Sequence, residues 1–429
     1  MMSRTLCAEL PAAAGRPVTL AGWIHRRRQL AAVTFVVIRD RTGQSQVVVT
    51  DPAVREQVSA LPEETAVRVT GTALANPKAP GGVEVVEPSI HPLCAPARQQ
   101  PVDLWRPTLR ATLPTVLDHA GLTWRHPGRQ AVWRIAAASL AGFREHLDGN
   151  GFTEVATPKI VGQSTESGAN VFPLDYFGST AYLAQSPQLY KQMLVGVFER
   201  VYEIGPVFRA EPHDTARHLA QYTSLDAEFG FVTDHRDVIE LLRGTLAAMV
   251  ERIAERAGAS VEMLGARLPV VPERIPVLHF RAALELVGAA PDEPDLAPEH
   301  ERFLGEWAKT THDSDFLAVE GYPAVKRPFY THPQPDDPRW TNSFDLLFRG
   351  LELVTGGQRL HNHADYLAAL TARGQDPADY GPYLAAMEYG MPPHGGFALG
   401  LERWVARLLE IENIRYTTLF PRDLHRLQP

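Results

Sequence analysis

VYEIGPVFRAEPHDTARHLAQYTSLDAEFGFV, residues 201–232, reads as two strands closing on a polar loop. VYEIGPVFRA and SLDAEFGFV are apolar runs of strand length, and the loop between them carries Glu211, His213, Asp214, Arg217 and His218. Arg209 stands on the first strand just before the loop, where a charge tends to face a cleft. Guanidinium forks bind phosphate bidentately and stay charged at any working pH. By itself the loop reads more readily as a solvated charge run with surface ion pairs.

Working outward, helical stretches at 128–151 and 237–258 flank the hairpin, with helical PQLYKQMLVGVFE between them. Strand-like FTEVATPKI and AYLAQ precede the hairpin, FDLLFRGLELVTGGQRLH (344–361) resumes the strands, and LERWVARLLEI (401–411) is a late helix. Helices and antiparallel strands without βαβ alternation predict an α+β fold rather than a doubly wound sheet. The proline-rich residues from about 259 to 330 read as an insertion in this domain. The first hundred residues differ. Five β-branched runs (18–25, 32–40, 45–51, 66–74, 83–90) with a helix-compatible segment at 52–61 suit a five-stranded OB-type barrel, although another small β-barrel fits the periodicity too. The expected organisation is a barrel over 1–97, a linker over 98–127 and an α+β domain over 128–429.

Composition narrows the function classes. The 429 residues carry a net charge of −8, but residues 1–100 carry +3 and the remainder −11. A basic N-terminal piece on an acidic body points to a local polyanion contact. Cys7 and Cys94 match no disulfide or zinc pattern. No signal-peptide h-region and no membrane-length apolar run occurs, so a soluble, cytoplasmic protein is expected. Only five lysines occur, Lys78, Lys159, Lys191, Lys309 and Lys326.

Three further segments could do chemistry. In FRGLELVTGGQRLH, Glu352 and Thr355 offer hard oxygen ligands suited to Mg²⁺, with Glu228 as the natural second carboxylate and Arg359 nearby. In LAQSPQLYKQ, Lys191 lies three residues past Gln188 at a helix start, a point charge for an anionic substrate. The glycines of HGGFALGLERWV (394–405) let the backbone approach a ligand, with Arg403 entering the helix beyond. Each has a plain structural alternative: a strand-face charge, a solvated lysine, an ordinary helix start. No Ser/His/Asp order, HExxH or Walker A loop is present.

Together and in this order, the segments resemble a class II aminoacyl-tRNA synthetase of the subgroup with an N-terminal OB-fold. GFTEVATPKI (151–160) resembles motif 1, FRAEPHDTARH motif 2 and ALGLERW motif 3. QSPQLYKQ with FRAE…RHL and GGQR resembles aspartyl-tRNA synthetases, in the compact archaeal-type form without a large inserted domain. Ala398 and Thr355 depart mildly from that pattern. The resemblance implies ATP bent over an antiparallel sheet and an aspartate carboxylate attacking the α-phosphate. It implies Arg209 bridging substrate carboxylate and α-phosphate, Glu211 on the adenine amino group, Arg217, His218 and Leu219 at the phosphates, and Gly400, Leu401, Glu402 and Arg403 around the adenine. Glu352, Glu228 and Thr355 would hold Mg²⁺, with Arg209, Glu352 and Arg403 as the catalytic set. Lys191 and Arg359 would clamp the substrate side-chain carboxylate beside Gln188 and Thr355, with Glu166 on the α-ammonium.

The resemblance also implies a homodimer built on motif 1 and, through the barrel, a tRNA partner. Arg26 and Arg28 would lie along the anticodon. His25 and Pro80 resemble the relaxed, non-discriminating form, which charges both tRNA(Asp) and tRNA(Asn) and feeds a tRNA-dependent amidotransferase. The alternatives are a strictly discriminating aspartyl enzyme, an asparaginyl-tRNA synthetase, a synthetase-derived asparagine synthetase and a non-catalytic single-strand-binding paralogue. Two cations around one subsite favour aspartate over a neutral amide.

Overall fold

Alternation builds the N-terminal unit. In β1 (Pro17–Gln29), Val18, Leu20 and Ile24 point inward at even spacing, as a half-buried strand requires. β2 (Thr34–Arg39), β3 (Gln44–Val49), β4 (Ala66–Ala75) and β5 (Val83–Pro92) join it in a closed barrel of order β1-β2-β3-β5-β4. Val36, Ile38, Val47, Val49, Val67, Val69 and Val85 are fully buried inside, each worth about 1.5–3 kcal/mol on the scale of apolar transfer. The helix Pro52–Ser59 between β3 and β4 is capped by the Asp51 carboxylate, which accepts from the Ala53 and Val54 amides. This is the expected five-stranded OB-type barrel. The computed structural model describes residues 4–162 and 170–428. The chain divides into the units Met1–Val116 and Leu117–Pro429.

The second unit carries β6 (Thr153–Glu154), then a three-stranded sheet of β7 (Ile160–Val161), β8 (Pro173–Tyr176) and β9 (Ser179–Leu183). Next come β10 (Arg200–Phe208), β11 (Gln221–Gly230), β12 (Val277–His279), β13 (Phe316–Glu320), β14 (Ser343–Phe348), β15 (Glu352–Gln358) and β16 (His394–Gly400). With β6 these form one eight-stranded sheet of order β12-β13-β14-β15-β16-β11-β10-β6, antiparallel except at its two outermost pairs. Helices Pro127–Gly149 and His235–Leu264 pack together against one face. A Cβ on Gly142 would lie 2.6 Å from the Ala248 carbonyl oxygen, so only glycine permits this approach. Phe143, Leu242, Leu246 and Met249 from the helices meet Leu225, Phe397, Leu399 and Trp404 in one core. The opposite face is left for chemistry.

Residues 259–330, expected as an insertion in this domain, supply β12 and β13 of its sheet, and Phe316–Glu320 is buried throughout. Most of their prolines fall in the connections, and Pro298 opens the helix Pro298–His312. Residues 98–127 are not bare linker, since they hold the short helices Leu113–Asp118 and Ala120–Thr123. No helix of the described residues is long and apolar enough to cross a membrane.

Candidate active site

The face opposite the helices is built by strand period. In β11, Leu225, Ala227 and Phe229 enter the core while Ser224, Asp226 and Glu228 point the other way. Pairing aligns Asp345 with Thr355, Thr355 with Ala398, Ala398 with Asp226 and Asp226 with Glu203, one row across five strands. A second row aligns Gly357, Gly396 and Glu228. The two glycines leave a gap, and a methyl at Gly396 would overlap both the Ala227 carbonyl oxygen and the Glu228 carboxylate. Over these rows opens a cleft of about 670 Å³, lined among others by Gln188, Arg209, Glu211, Arg217, Glu352, Arg359 and Arg403.

At one end of the cleft sits a buried charge cluster. Glu228, wholly inaccessible, accepts from Arg359 Nε at 2.8 Å and lies 3.2 Å from Lys191 Nζ. Lys191 also donates to Asp226 at 3.0 Å and to the Phe397 carbonyl at 3.1 Å. Gln188 Nε2 reaches Glu228 at 3.4 Å. Burial alone would raise the Glu228 pKa, but the Arg359 and Lys191 cations outweigh it and hold the carboxylate at about 2. The expected pair of cations is therefore present, but matched by two carboxylates, Asp226 and Glu228. Glu228, expected among the metal ligands, here faces cations instead. Both its oxygens are taken by cations.

Thr355 Oγ1 donates to Glu352 Oε1 at 3.2 Å, and Arg403 Nη1 donates to the Glu352 carbonyl at 3.1 Å. Although 41% of the Glu352 side chain faces the cleft, desolvation first, and the nearby Asp345 carboxylate second, push its pKa up to about 7. Asp345 is held by Arg327 at 2.7 Å. A carboxylate raised in pKa by desolvation and by a second acid despite the Arg403 ion pair at 3.9 Å, and beside a hydroxyl, fits a hard divalent cation completed by phosphate oxygens and water. Among the described residues no three acidic, histidine or cysteine side chains form a closed cage. The set is open. Asp345 stands beside Thr355 across β14 and β15, whereas Glu228 is paired with Lys191 and Arg359.

The loop after β10 is fixed at its far side. Arg415 bonds Asp214 at 2.8 Å, Asp423 at 2.6 Å and the Thr215 carbonyl at 3.0 Å, so this charge run is anchored on one flank. Arg209 and Glu211 are half-buried in the cleft wall, Arg217 and His218 are exposed, and Leu219 closes the wall. His218 accepts or donates at 2.6 Å with Thr215, and burial, then the neighbouring His213, lowers its pKa. Gly400 lines the cleft, but the Leu401 side chain belongs to the hydrophobic core. Glu402 is committed to the sheet, its carboxylate accepting the Thr223 amide at 3.0 Å with burial raising its pKa to about 7. The helix Leu401–Leu408 turns the Leu401 side chain inward, whereas Glu402 still lines the cleft. Glu166 lies outside the described residues.

In the barrel, Arg26 stacks its guanidinium 3.9 Å above the Trp105 ring and Arg28 is exposed. Pro80 is exposed at the start of the turn Pro80–Gly82. His25 is not presented at the surface: it is 4% exposed, with Nδ1 3.8 Å from the buried Glu64 carboxylate. Its even-numbered neighbours fill the barrel, but a register shift between Ile24 and Arg26 turns His25 inward as well.

A buried cluster of two cations and two carboxylates thus lies at one end of an arginine-lined cleft over an antiparallel sheet. The family model for class II tRNA synthetases (D, K and N) matches residues 113–424, and that for the OB-fold nucleic acid binding domain matches 18–93. The chain belongs to the class II tRNA synthetases of this group. Its relatives include the aspartate–tRNA(Asp/Asn) ligases of Thermus thermophilus, 45% identical over 99% of this chain and 100% of the relative, and of Deinococcus radiodurans, 44% identical over 100% and 99%. Among solved structures, asparaginyl-tRNA synthetase from Pyrococcus horikoshii complexed with asparaginyl-adenylate is 32% identical with a TM-score of 0.93, covering 100% of both chains. Aspartyl tRNA synthetase from Entamoeba histolytica is 29% identical with a TM-score of 0.88, covering 100% of this chain and 93% of that one.

Proposed function

We propose that the protein converts aspartate and ATP to aspartyl-adenylate and pyrophosphate and then transfers the aspartyl group to tRNA with release of AMP, accepting both tRNA(Asp) and tRNA(Asn). The observation that carries the substrate is the Lys191–Asp226–Glu228–Arg359 cluster. Lys191 and Arg359 are matched there by Asp226 and Glu228, so a β-carboxylate is held by sharing these two cations, and the choice of aspartate over an amide rests on the relatives, which are aspartate–tRNA(Asp/Asn) ligases. The reading of both tRNAs is supported by the relatives' shared activity and by the exposed Pro80 turn. His25 contributes indirectly, through Glu64, rather than by stacking on a base.

The nucleophile is a carboxylate, so no general base is needed. Arg209 aligns the substrate carboxylate with the α-phosphate and stabilises charge developing between them. Glu211 accepts from the adenine amino group, Arg217 and His218 hold the phosphate tail, and Arg403 stacks on the adenine while reaching the γ-phosphate. Mg²⁺, held by Glu352, Asp345 and Thr355, would neutralise phosphate charge. A homodimer through the motif 1 segment 151–160, a cytoplasmic setting and a tRNA-dependent amidotransferase downstream complete the reading.

Charging of purified tRNA(Asn) with labelled aspartate tests it. Efficiency within about tenfold of tRNA(Asp) is expected. A thousandfold deficit, about 4 kcal/mol, would make the enzyme discriminating, and exchange supported by asparagine but not aspartate would overturn the substrate.

Glu352 provides a separate check. With its pKa near 7, protonation competes with metal, so Mg²⁺ affinity in the presence of ATP should fall roughly tenfold from pH 8 to pH 6. Equal affinities at the two pH values would remove Glu352 from the metal set.

A further inference from the structure

Gln192 follows Lys191 on the helix Gln188–Phe198 and is fully buried, yet it touches nothing in the cleft. Its terminal amide lies 3.0 Å from Tyr366 Oη, 2.7 Å from Tyr383 Oη and 3.3 Å from His394 Nε2. Two of those residues, His394 and Tyr366, hold the strand end that carries Arg359. The Arg359 amide donates to the His394 carbonyl at 2.8 Å. Tyr366 Oη donates to the Leu360 carbonyl at 2.5 Å. Arg359 Nη2 bonds the Gly396 carbonyl at 3.0 Å, two residues beyond His394. One amide therefore links the helix of Gln188 and Lys191 to the strand of Arg359.

Proton bookkeeping gives the amide its orientation. His394 Nδ1 faces the Pro392 carbonyl at 2.9 Å and must carry the proton. Burial holds the ring neutral, with a pKa near 4, so Nε2 offers only a lone pair. The Tyr366 proton is already given to Leu360. The Gln192 atom facing this group must then be its NH₂, which donates to His394 and to a tyrosine oxygen. With the opposite orientation, Nε2 is a buried donor without a partner, the costlier atom to leave unpaired.

We propose that Gln192 is a positioning residue that sets the separation of Lys191 and Arg359, and with it the selectivity for a dicarboxylic amino acid. The proposal rests on the aspartate reading above. Each cation is carried on a different element, and the ion pairs through Glu228 fix their charges but not the backbones behind them. The Gln192 amide does the latter. Removing it lets the Arg359 strand relax against the helix, and misplacement of about 1 Å in a bound substrate is enough to cost up to a hundredfold.

The test is steady-state ATP–pyrophosphate exchange with Gln192→Met, which keeps length and loses the hydrogen bonds, and with Tyr383→Phe as the gentler change. Gln192→Met is expected to raise the aspartate KM about tenfold or more, with the ATP KM within about twofold. The ratio of aspartate- to asparagine-dependent exchange should fall. Tyr383→Phe should move the same parameters in the same direction by about threefold. Equal rises in both KM values, or an unchanged aspartate KM in a folded Gln192→Met, would overturn the positioning role. Should Gln192→Met not fold, an unchanged aspartate KM in Tyr383→Phe would overturn it alone. Exchange by the wild type that ignores aspartate would refute the underlying reading instead, so the two failures are distinguishable.

Discussion

Arg359→Ala is expected to abolish measurable aspartate-dependent exchange while leaving ATP affinity nearly unchanged. Its guanidinium makes two bonds to a carboxylate with no solvent access, and removing one member of such a pair costs about 3–5 kcal/mol. At a binding site the same truncation costs about 2–5 kcal/mol, roughly one and a half to four orders of magnitude in affinity or rate. Lys191→Ala should behave similarly but more mildly, because Arg359 would still hold Glu228. The pH dependence has a definite sign. Wild-type Glu228 has a folded pKa near 2, below its ordinary value, so its stabilisation is present at neutral pH. That contribution is lost only as pH falls from about 4.5 towards 2. In Arg359→Ala, burial dominates and the folded pKa rises. The destabilisation should then be largest near pH 7.5 and shrink towards pH 5, where the carboxyl is neutral. Urea unfolding at both pH values reads this. An aspartate KM equal to wild type, or a destabilisation that grows in acid, would be incompatible with the cluster as described.

Gly396→Ala is expected to be the second severe variant, and for a steric reason. A methyl there overlaps the carbonyl of Ala227 on the adjoining strand and the Glu228 side chain that crosses the gap. The backbone contact cannot be relieved by a rotamer change, so β11 and β16 must part. Overpacking of this kind costs about 1–3 kcal/mol or more, and here it also pushes Glu228 away from both cations. Loss of aspartate binding should therefore exceed loss of stability. Alanine at Gly400, where the same added atom meets nothing nearer than 3.7 Å, serves as the control for thermal stability. A Gly396→Ala protein with wild-type melting temperature and aspartate KM would show that the gap is not needed.

The sequence by itself determined the layers and the chemistry on offer. Period-two runs set which side of each strand is apolar, so SLDAEFG already separates Ser224, Asp226 and Glu228 from Leu225, Ala227 and Phe229. The lysine scarcity and the glycine pairs marked Lys191, Gly356-Gly357 and Gly395-Gly396 as unusual positions. Partner choice was decided only by the tertiary structure. Glu228 and Glu352 are both strand carboxylates, and local sequence does not say which meets cations and which meets another acid. Strand order does. It sets β11 one strand from β16 and within reach of Lys191 and Arg359, and β14 beside β15, so that Asp345 rather than Glu228 adjoins Thr355. The same holds for His25, whose inward turn follows from an irregular register between β1 and β2, and for residues 259–330, whose short strands have no core until β14 lies beside them. Periodicity is a local property of the chain, but charge pairing and burial depend on contacts between residues as far apart as 228 and 359.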